Sequence, residues 1–353
     1  MKILPEIRPR IIDKEGKAKS LLNKNQNTYF VDAFERQLKE LFLIENTRFL
    51  GLSKDKIYQS KEYKRFAKVK NRDFVFIYYP WNNTLVKSVK EEDYFQLKTS
   101  RNRDLITPEE QDKLRNFKVA ILGMSVGSNI AFVLTQAGIS QNIILADFDD
   151  LDTTNLNRIW AGVHQVGLNK AVIAARRIYE DNPYAKVDIF TKGMDVKTLE
   201  KLLKTKKVDC IVEEIDQLQM KIDTRKLALK YKVPVLMVTD NGDWVVLHIE
   251  RYDLGYKKIF GKDMKYWDRR MERFEGKKDF ANIVINDIVG GPDKVDPKML
   301  SCAEKVVKKE LVSWPQLGSA ALLGGVAVTV AVKNIVSKRD KRKYLRTYLN
   351  ILE

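Results

Sequence analysis

The sequence predicts an α/β fold: a doubly wound, mostly parallel sheet with an antiparallel extension, preceded by a small N-terminal α/β unit. Three observations carry this. From Lys118 to Asp240, apolar runs of strand length alternate with helical stretches, the signature of a parallel sheet wound with crossover helices. The first of these runs, "KVAIL", opens directly into a glycine-bearing turn and a helix. Beyond the alternating region, "WVVLHIERYDL" (244–254) suggests antiparallel strand content.

Residues 1–100 read as a separate accessory or recognition unit, with the remaining 101–353 forming the main domain. In the first unit "YFVDAFERQLKELFLIEN" (29–46) has apolar residues at helical spacing. "DFVFIYYP" (73–80) is a strand stopped by Pro80, and "WNNTLVKSV" is a turn into a second strand. A polar stretch then leads to Thr107-Pro108-Glu109-Glu110, a helix start with a capping residue, proline in the first turn and acids after it. Strand "KVAIL" is followed by helix "SNIAFVLTQAG", strand "NIILADFD", helix "NKAVIAARRIYEDN" and strand "KVDIFT". Next come helix "VKTLEKLLKT", strand "VDCIVEEI", helix "MKIDTRKLALKYK" and strand "VPVLMVTD". Residues 255–312 read as a charged, irregular insertion or crossover region, with "VGGPDKVDP" as a clear loop; an apolar helix and a strand, "KYLRTYLNIL", close the chain.

Composition bounds the function. At 353 residues, 44% hydrophobic and 31% charged, the chain is of the soluble, globular class. Two cysteines, Cys210 and Cys302, argue against a disulfide scaffold and fit a reducing cytoplasm. They exclude an all-cysteine zinc site, and His164 and His248 lie far from both in sequence, so no zinc is expected. The N-terminal "MKILPEIRPR" carries a proline and charges where a secretory leader needs an apolar run. Leu317 to Val332 is apolar for sixteen residues, short of the roughly 20 of a membrane span, and reads as a buried packing helix. The net charge of +17 is compatible with an anionic partner or with a lysine-rich surface; no nucleic-acid-binding signature is present and none is predicted.

In a doubly wound sheet, ligands sit beyond the carboxyl ends of the strands, where the strand order reverses. The loop Gly123-Met124-Ser125-Val126-Gly127-Ser128 occupies that place after "KVAIL". Gly123 and Gly127 allow close backbone approach to phosphate at a helix N-terminus, and Ser125 adds a hydroxyl where a dinucleotide fingerprint has its second glycine. Asp147 ends "IILAD", 20 residues after Gly127, where a carboxylate accepts ribose hydroxyls. To this point NAD and ATP fit equally. Asn155 and Arg158 in "DFDDLDTTNLNR", and Lys170 at a helix start, would neutralise a triphosphate; Asp216, ending "CIVEEID", could hold Mg²⁺. Each of these residues alone also has an ordinary surface reading; the ordered set does not.

The segment from about Arg101 to Asp240 resembles the adenylyltransferase family that includes ThiF, MoeB, MccB and the adenylation halves of ubiquitin-activating enzymes. The resemblance rests on Arg103, the Gly123–Gly127 loop, Asp147, "TNLNR" with Asn155 and Arg158, Lys170, Asp216 and the stretch "EDNPYAKVDI". It implies a Rossmann-like fold and an ATP- and Mg²⁺-dependent attack of a carboxylate on the α-phosphate, giving an acyl-adenylate and pyrophosphate. The carboxylate implied is the C-terminus of a peptide or of a small ubiquitin-like or sulfur-carrier protein. Within that likeness Asp147 would hold ribose, the loop with Asn155, Arg158 and Lys170 would bind phosphates, and Asp216 would hold the metal. Arg103 would reach into the site of a second subunit of a homodimer. The loop is one residue shorter than the family's usual one, and the family's paired CxxC zinc motifs are absent. Cys210 lies in an apolar strand and reads as core; the reactive thiol of some members has no convincing counterpart, and Cys302, before the C-terminal helix, lies in the general part of the chain where it would stand. The shortened loop and "TDNGDWVVLHIERYDLG" most resemble a bacterial ThiF-type subgroup associated with nitroreductase-like flavoprotein domains, which makes such a protein a candidate partner. Two other readings stay open: a nucleotide-binding scaffold that has lost catalysis, and an NAD(P)-dependent oxidoreductase.

Overall fold

A computed structural model describes residues 6–24 and 27–351; Met1–Pro5, part of the stretch on which the leader was judged, lie outside them. The chain divides into two compact units, residues 1–111 with 179–184, and residues 112–178 with 185–353.

The first unit holds strands β1 (Arg10–Ile12), β2 (Tyr29–Asp32), β3 (Phe74–Tyr79) and β4 (Thr84–Val89) in the order β1-β3-β4-β2. β1, β3 and β4 are antiparallel neighbours, while β2 runs parallel to β4. Helices α1 (Glu15–Lys24), α2 (Phe34–Glu45), α3 (Lys54–Tyr58), α4 (Lys61–Lys70) and α5 (Glu91–Lys98) complete it. The stretch 29–46, read as one helix, is a strand and then a helix. Asp32 makes the break, its Oδ1 accepting from the Phe34 amide at 3.1 Å, and "YFV" before it has the β-branched and aromatic character of a strand. Helix α6 (Pro108–Asn116) begins where the sequence placed it: Thr107 Oγ1 accepts from the Glu110 amide and Glu110 Oε2 from the Thr107 amide, a reciprocal cap.

The second unit is built on strands β5 (Lys118–Leu122), β6 (Asn142–Ala146), β7 (Lys186–Phe190), β8 (Cys210–Glu213), β9 (Val235–Asn241), β10 (Trp244–Glu250) and β11 (Tyr344–Leu349). Their order is β11-β10-β9-β8-β5-β6-β7. β5 to β9 are parallel; β10 turns back antiparallel to β9, and β11 is antiparallel to β10. Helices α7 (Val126–Gln136), α8 (Lys170–Asp181), α9 (Val196–Lys204) and α10 (Leu218–Tyr231) make the crossovers. The strand order reverses between β5 and β8, which puts the switch point at their carboxyl ends.

Residues 255–312 are not irregular. They carry helices α11 (Met264–Glu272), α12 (Gly276–Ile283) and α13 (Pro297–Val307), with a π-helical stretch Val284–Val289 continuing α12. Their charges hide a sparse apolar set: Ile259, Phe260, Trp267, Ile283 and Ile288 pack with Leu218 and Ile222 of α10 and Met237 of β9. Helix α14 (Gly318–Val336) is the apolar segment; it is long and apolar enough to cross a membrane, and 56% of its most apolar window is buried in the protein. Its small residues serve close approach. A Cβ on Gly325 would lie 3.0 Å from the Asn129 carbonyl oxygen of α7, and one on Gly324 3.0 Å from Val238 of β9.

Beneath the switch point lies a buried ionic network. Arg225 of α10 donates through Nη1 to Glu213 Oε2 at 2.7 Å and through Nε to Glu250 Oε2 at 2.6 Å, all three fully buried. Lys221 adds a bond to Glu213 Oε1 at 3.1 Å, and the Arg225 guanidinium stacks 3.8 Å from the Phe260 ring centroid. Burial opposes ionisation of Glu213, but Lys221 and Arg225 overcome it and hold its carboxyl below the ordinary range. Replacing Arg225 by Met strands two buried carboxylates. Urea unfolding of Arg225→Met is expected to show a loss of about 3–5 kcal/mol, and a loss under 1 kcal/mol would mean the network carries little.

Candidate functional site

Strand register assembles the mouth of the second unit. Leu122 of β5 pairs with Ala146 of β6 on one side and Glu213 of β8 on the other. Gly123, Asp147 and Glu214 therefore leave the sheet at one level. The Gly123 amide donates to Ala146 O at 2.8 Å and the Glu214 amide to Leu122 O at 2.7 Å. Gly123 has φ +94°, and a Cβ there would sit 2.3 Å from the Glu214 carbonyl oxygen. At Gly127 a Cβ would meet Ile121 Cγ2 at 2.9 Å. Both glycines are thus demanded by packing of the loop and helix on the sheet.

Asp147 is buried and holds the loop in place. Its Oδ2 accepts from the Met124 amide at 2.6 Å and its Oδ1 from the Asp149 amide at 2.8 Å. Burial raises its carboxyl pKa against the pull of those two amides and of Lys170. Each oxygen keeps a lone pair for a further donor. Ser125 is the N-cap position of α7 but places no side-chain bond on the helix amides. Its Oγ instead accepts from Arg158 Nε at 2.9 Å, so the hydroxyl that replaces a glycine anchors an arginine. Nη1 of Arg158 bonds Thr154 O and Asn157 Oδ1, and the Arg158 carbonyl accepts from Asn129 Nδ2 of α7. Among the described residues Nη2 of Arg158 has no partner.

Asn155 is buried in the 3₁₀ turn Thr153–Asn155, its Oδ1 accepting from the Asp152 amide at 3.1 Å and closing a capping box. Lys170 starts α8, and its Nζ lies 2.9 Å from Asp149 Oδ2, a partner absent from the sequence reading. Asp216 is exposed, past the end of β8; its backbone is set by the Ile215 amide donating to Glu213 Oε1 at 2.8 Å. The loop, Asp147, Arg158, Asn155, Lys170 and Asp216 all belong to the second unit, whereas Arg103, exposed, belongs to the first. Cys210 is fully buried and burial pushes its thiol up; Cys302 lies half-buried on α13. Among the described residues no group of three or more His, Cys, Asp and Glu is placed to hold a metal ion.

Residues 99–352 match the model of the ThiF family. The chain belongs to the ThiF family. It is 36% identical over 263 residues to the uncharacterized protein MT1398 of Mycobacterium tuberculosis (strain CDC 1551 / Oshkosh), covering 73% of this chain and 35% of that protein. It is 33% identical over 139 residues to the tRNA threonylcarbamoyladenosine dehydratase of Bacillus subtilis (strain 168), 39% of this chain and 54% of that enzyme. The chain thus spans between about a third and about half of these relatives' lengths. In fold it is similar to the crystal structure of E. coli MccB with ATP, with a TM-score of 0.50 at 16% identity over 90% of this chain and 85% of that one.

Three residues of this ThiF-family mouth escaped the sequence reading. Asn169 donates to the Asp147 and Asp149 carbonyls at 3.0 and 3.1 Å and caps α8 through the Ala171 amide. Glu214 Oε1 accepts from the Val238 amide at 2.9 Å, and burial pushes its carboxyl well up. Asp240 is the penultimate residue of β9; burial raises its pKa to about 6, with a bond from Gln316 and Arg158 working against the rise and Asp216 adding to it. The strand-end aspartate in "VPVLMVTD" was the available signal, the same one that picked out Asp147 and Asp216.

An acid whose folded pKa is raised favours folding below its unfolded pKa and loses that contribution as pH climbs through the folded value. Asp240→Asn removes the titration. Relative to this variant, the native chain is expected to lose on the order of 3 kcal/mol of stability between pH 4 and pH 7. Parallel pH-dependent stability curves would contradict the burial of this carboxyl.

Proposed function

We propose that the chain is an ATP-dependent adenylyltransferase that activates a carboxylate, the C-terminus of a peptide or small protein, as an acyl-adenylate. The observation that carries this reading is the joining of Asp147 and Arg158 through the loop at the start of α7, by way of Met124 and Ser125, with Asn155, Lys170 and Asp216 in the same unit. Family membership supports the nucleotide, as does the ATP complex of the structurally similar MccB.

The residues present fit the nucleotide. Amides at the start of α7 have no side-chain cap and face the mouth with the positive end of the helix dipole. Asp147 has lone pairs for ribose hydroxyls, and Arg158 Nη2 with the Asn155 amide group is available to phosphate oxygens. Lys170 would share its charge between Asp149 and a phosphate. A carboxylate oxygen of the acyl substrate forms the new bond to the α-phosphorus, the bond to the bridging oxygen breaks, and that oxygen leaves with pyrophosphate. The protein's part is alignment and stabilisation of charge on the departing oxygens. Asp216 is an exposed carboxylate suited to Mg²⁺, which commonly takes one or two protein carboxylates and completes its shell with phosphate and water oxygens; when bound it supplies charge neutralisation on those oxygens. As the family resemblance implies, Arg103 would act from a second subunit of a homodimer.

ATP–pyrophosphate exchange, screened with peptide acids, tests the reaction. Exchange should appear with an accepted C-terminus and fall about 100-fold or more in Asp216→Ala and in Lys170→Ala. Binding of ATP without exchange would favour a non-catalytic nucleotide-binding scaffold. No thermal stabilisation by millimolar Mg-ATP would overturn the nucleotide reading altogether. Ser125→Gly removes a bond to a charged donor, so calorimetry should show the ATP Kd rising roughly tenfold; an unchanged Kd would leave cradling to the backbone alone.

A further inference from the structure

The end of the connection between α13 and α14 and the first turn of α14 are fastened to the loops after β6 and β9 at four points. Asn157 Nδ2 donates to Gln316 O at 2.7 Å, and Gln316 Nε2 donates to Asp240 Oδ2 at 3.2 Å. Ser319 Oγ donates to Asp243 Oδ1 at 2.6 Å, and a Cβ on Gly318 would lie 2.4 Å from the Asn157 carbonyl oxygen, so backbone meets backbone. Asn157 is also the acceptor for Arg158 Nη1 at 2.9 Å. Residues 316–319 therefore hold, by independent contacts, both the turn that carries Arg158 and the Asp240 carboxylate near the end of β9.

These two groups attract each other. The charges of Asp240 and Asp216 both act on Arg158, yet among the described residues Arg158 forms no ion pair with either. Arg158 instead spends Nε on Ser125 and Nη1 on Thr154 and Asn157. Oδ1 of Asp240 is buried without a hydrogen-bond partner, and Oδ2 has only Gln316. A buried carboxylate with one weak bond and a nearby guanidinium with a free Nη2 would relax into a direct ion pair unless something prevented it.

We propose that Gln316 is a positioning residue for the nucleotide site: by holding Asp240, it keeps Arg158 Nη2 free for a phosphate. This rests on the reading of Arg158 as a phosphate ligand. Gln316 touches no reacting atom; it acts through Asp240, and the connecting segment that carries it becomes part of the site although it lies about 160 residues from Arg158 in sequence.

A double-mutant cycle on the full chain, read by calorimetric titration with Mg-ATP, separates this from a structural role. Gln316→Ala is expected to raise the ATP Kd about five- to tenfold, as Arg158 is captured by Asp240. In the Asp240→Asn background the same substitution should change Kd less than twofold, because no carboxylate remains to capture the guanidinium. Equal losses in both backgrounds would show that Gln316 only supports the fold, and no loss in either would show that it does nothing for Arg158; both overturn the proposal. If the native chain itself fails to bind ATP, the phosphate role of Arg158 falls, and this inference with it. Native binding with an ineffective Gln316→Ala would sink the inference alone.

Discussion

Arg225 is the interaction on which the rest of the second unit depends. It is fully buried and bridges two buried carboxylates, Glu213 at the end of β8 and Glu250 at the end of β10. Each carboxylate in turn fixes backbone. Glu213 Oε1 takes the Ile215 amide and so sets the turn that presents Asp216. Glu250 Oε1 takes the Phe260 amide and the Tyr252 hydroxyl, pinning the start of the 255–290 segment to the sheet. One guanidinium therefore ties a candidate metal-holding carboxylate and an entire helical insertion to the same point. Ionic networks of this kind add little net stability compared with an apolar core of equal volume. What this one provides is position, since its hydrogen bonds have direction and an apolar cluster's contacts do not.

Above that network the site follows from register and from glycine. The pairing of Leu122 with both Ala146 and Glu213 leaves three chain exits side by side, and only a residue without a Cβ fits at the first of them. Asp147 then bonds back to Met124 across the gap, so the strand-end carboxylate also shapes the loop. Asn169 extends the arrangement outward by bonding the carbonyls of Asp147 and Asp149 while capping α8, which carries Lys170. The ends of β5 and β6 and the start of α8 are thus tied together by hydrogen bonds rather than standing as separate loops.

Much of this was legible in the sequence because it is local. Alternating apolar runs located β5 to β9 and the helices between them, and strand-end carboxylates picked out Asp147 and Asp216. The failures share a physical cause. The charged stretch 255–312 hides its helices because its apolar residues are sparse and find their partners on α10 and β9, far away in sequence. The strand Tyr29–Asp32 was absorbed into the helix after it because apolar residues on both sides of Asp32 continue the helical spacing. The bond that Ser125 accepts from Arg158, 33 residues on, also lay outside what spacing could show. Gln316 carried no signal at all, since its meaning lies in one bond to Asp240, 76 residues earlier.

The charge balance of the mouth differs from that of the chain. The net charge of +17 belongs to the whole sequence, but the ends of β6, β8 and β9 contribute Asp147, Asp149, Glu214, Asp216 and Asp240 against Arg158 and Lys170. A polyphosphate entering five full negative charges would be repelled. Burial opposes charge there: it raises the carboxyl pKa of Asp147 and of Asp240 and pushes that of Glu214 well up. Asp149 already pairs with Lys170. The exposed Asp216 then stands as the carboxylate with the greatest freedom to take a cation. The acids of the mouth thus differ in kind: Asp149 is paired with Lys170, Asp216 is exposed, and Asp240 is held by Gln316 rather than by a guanidinium.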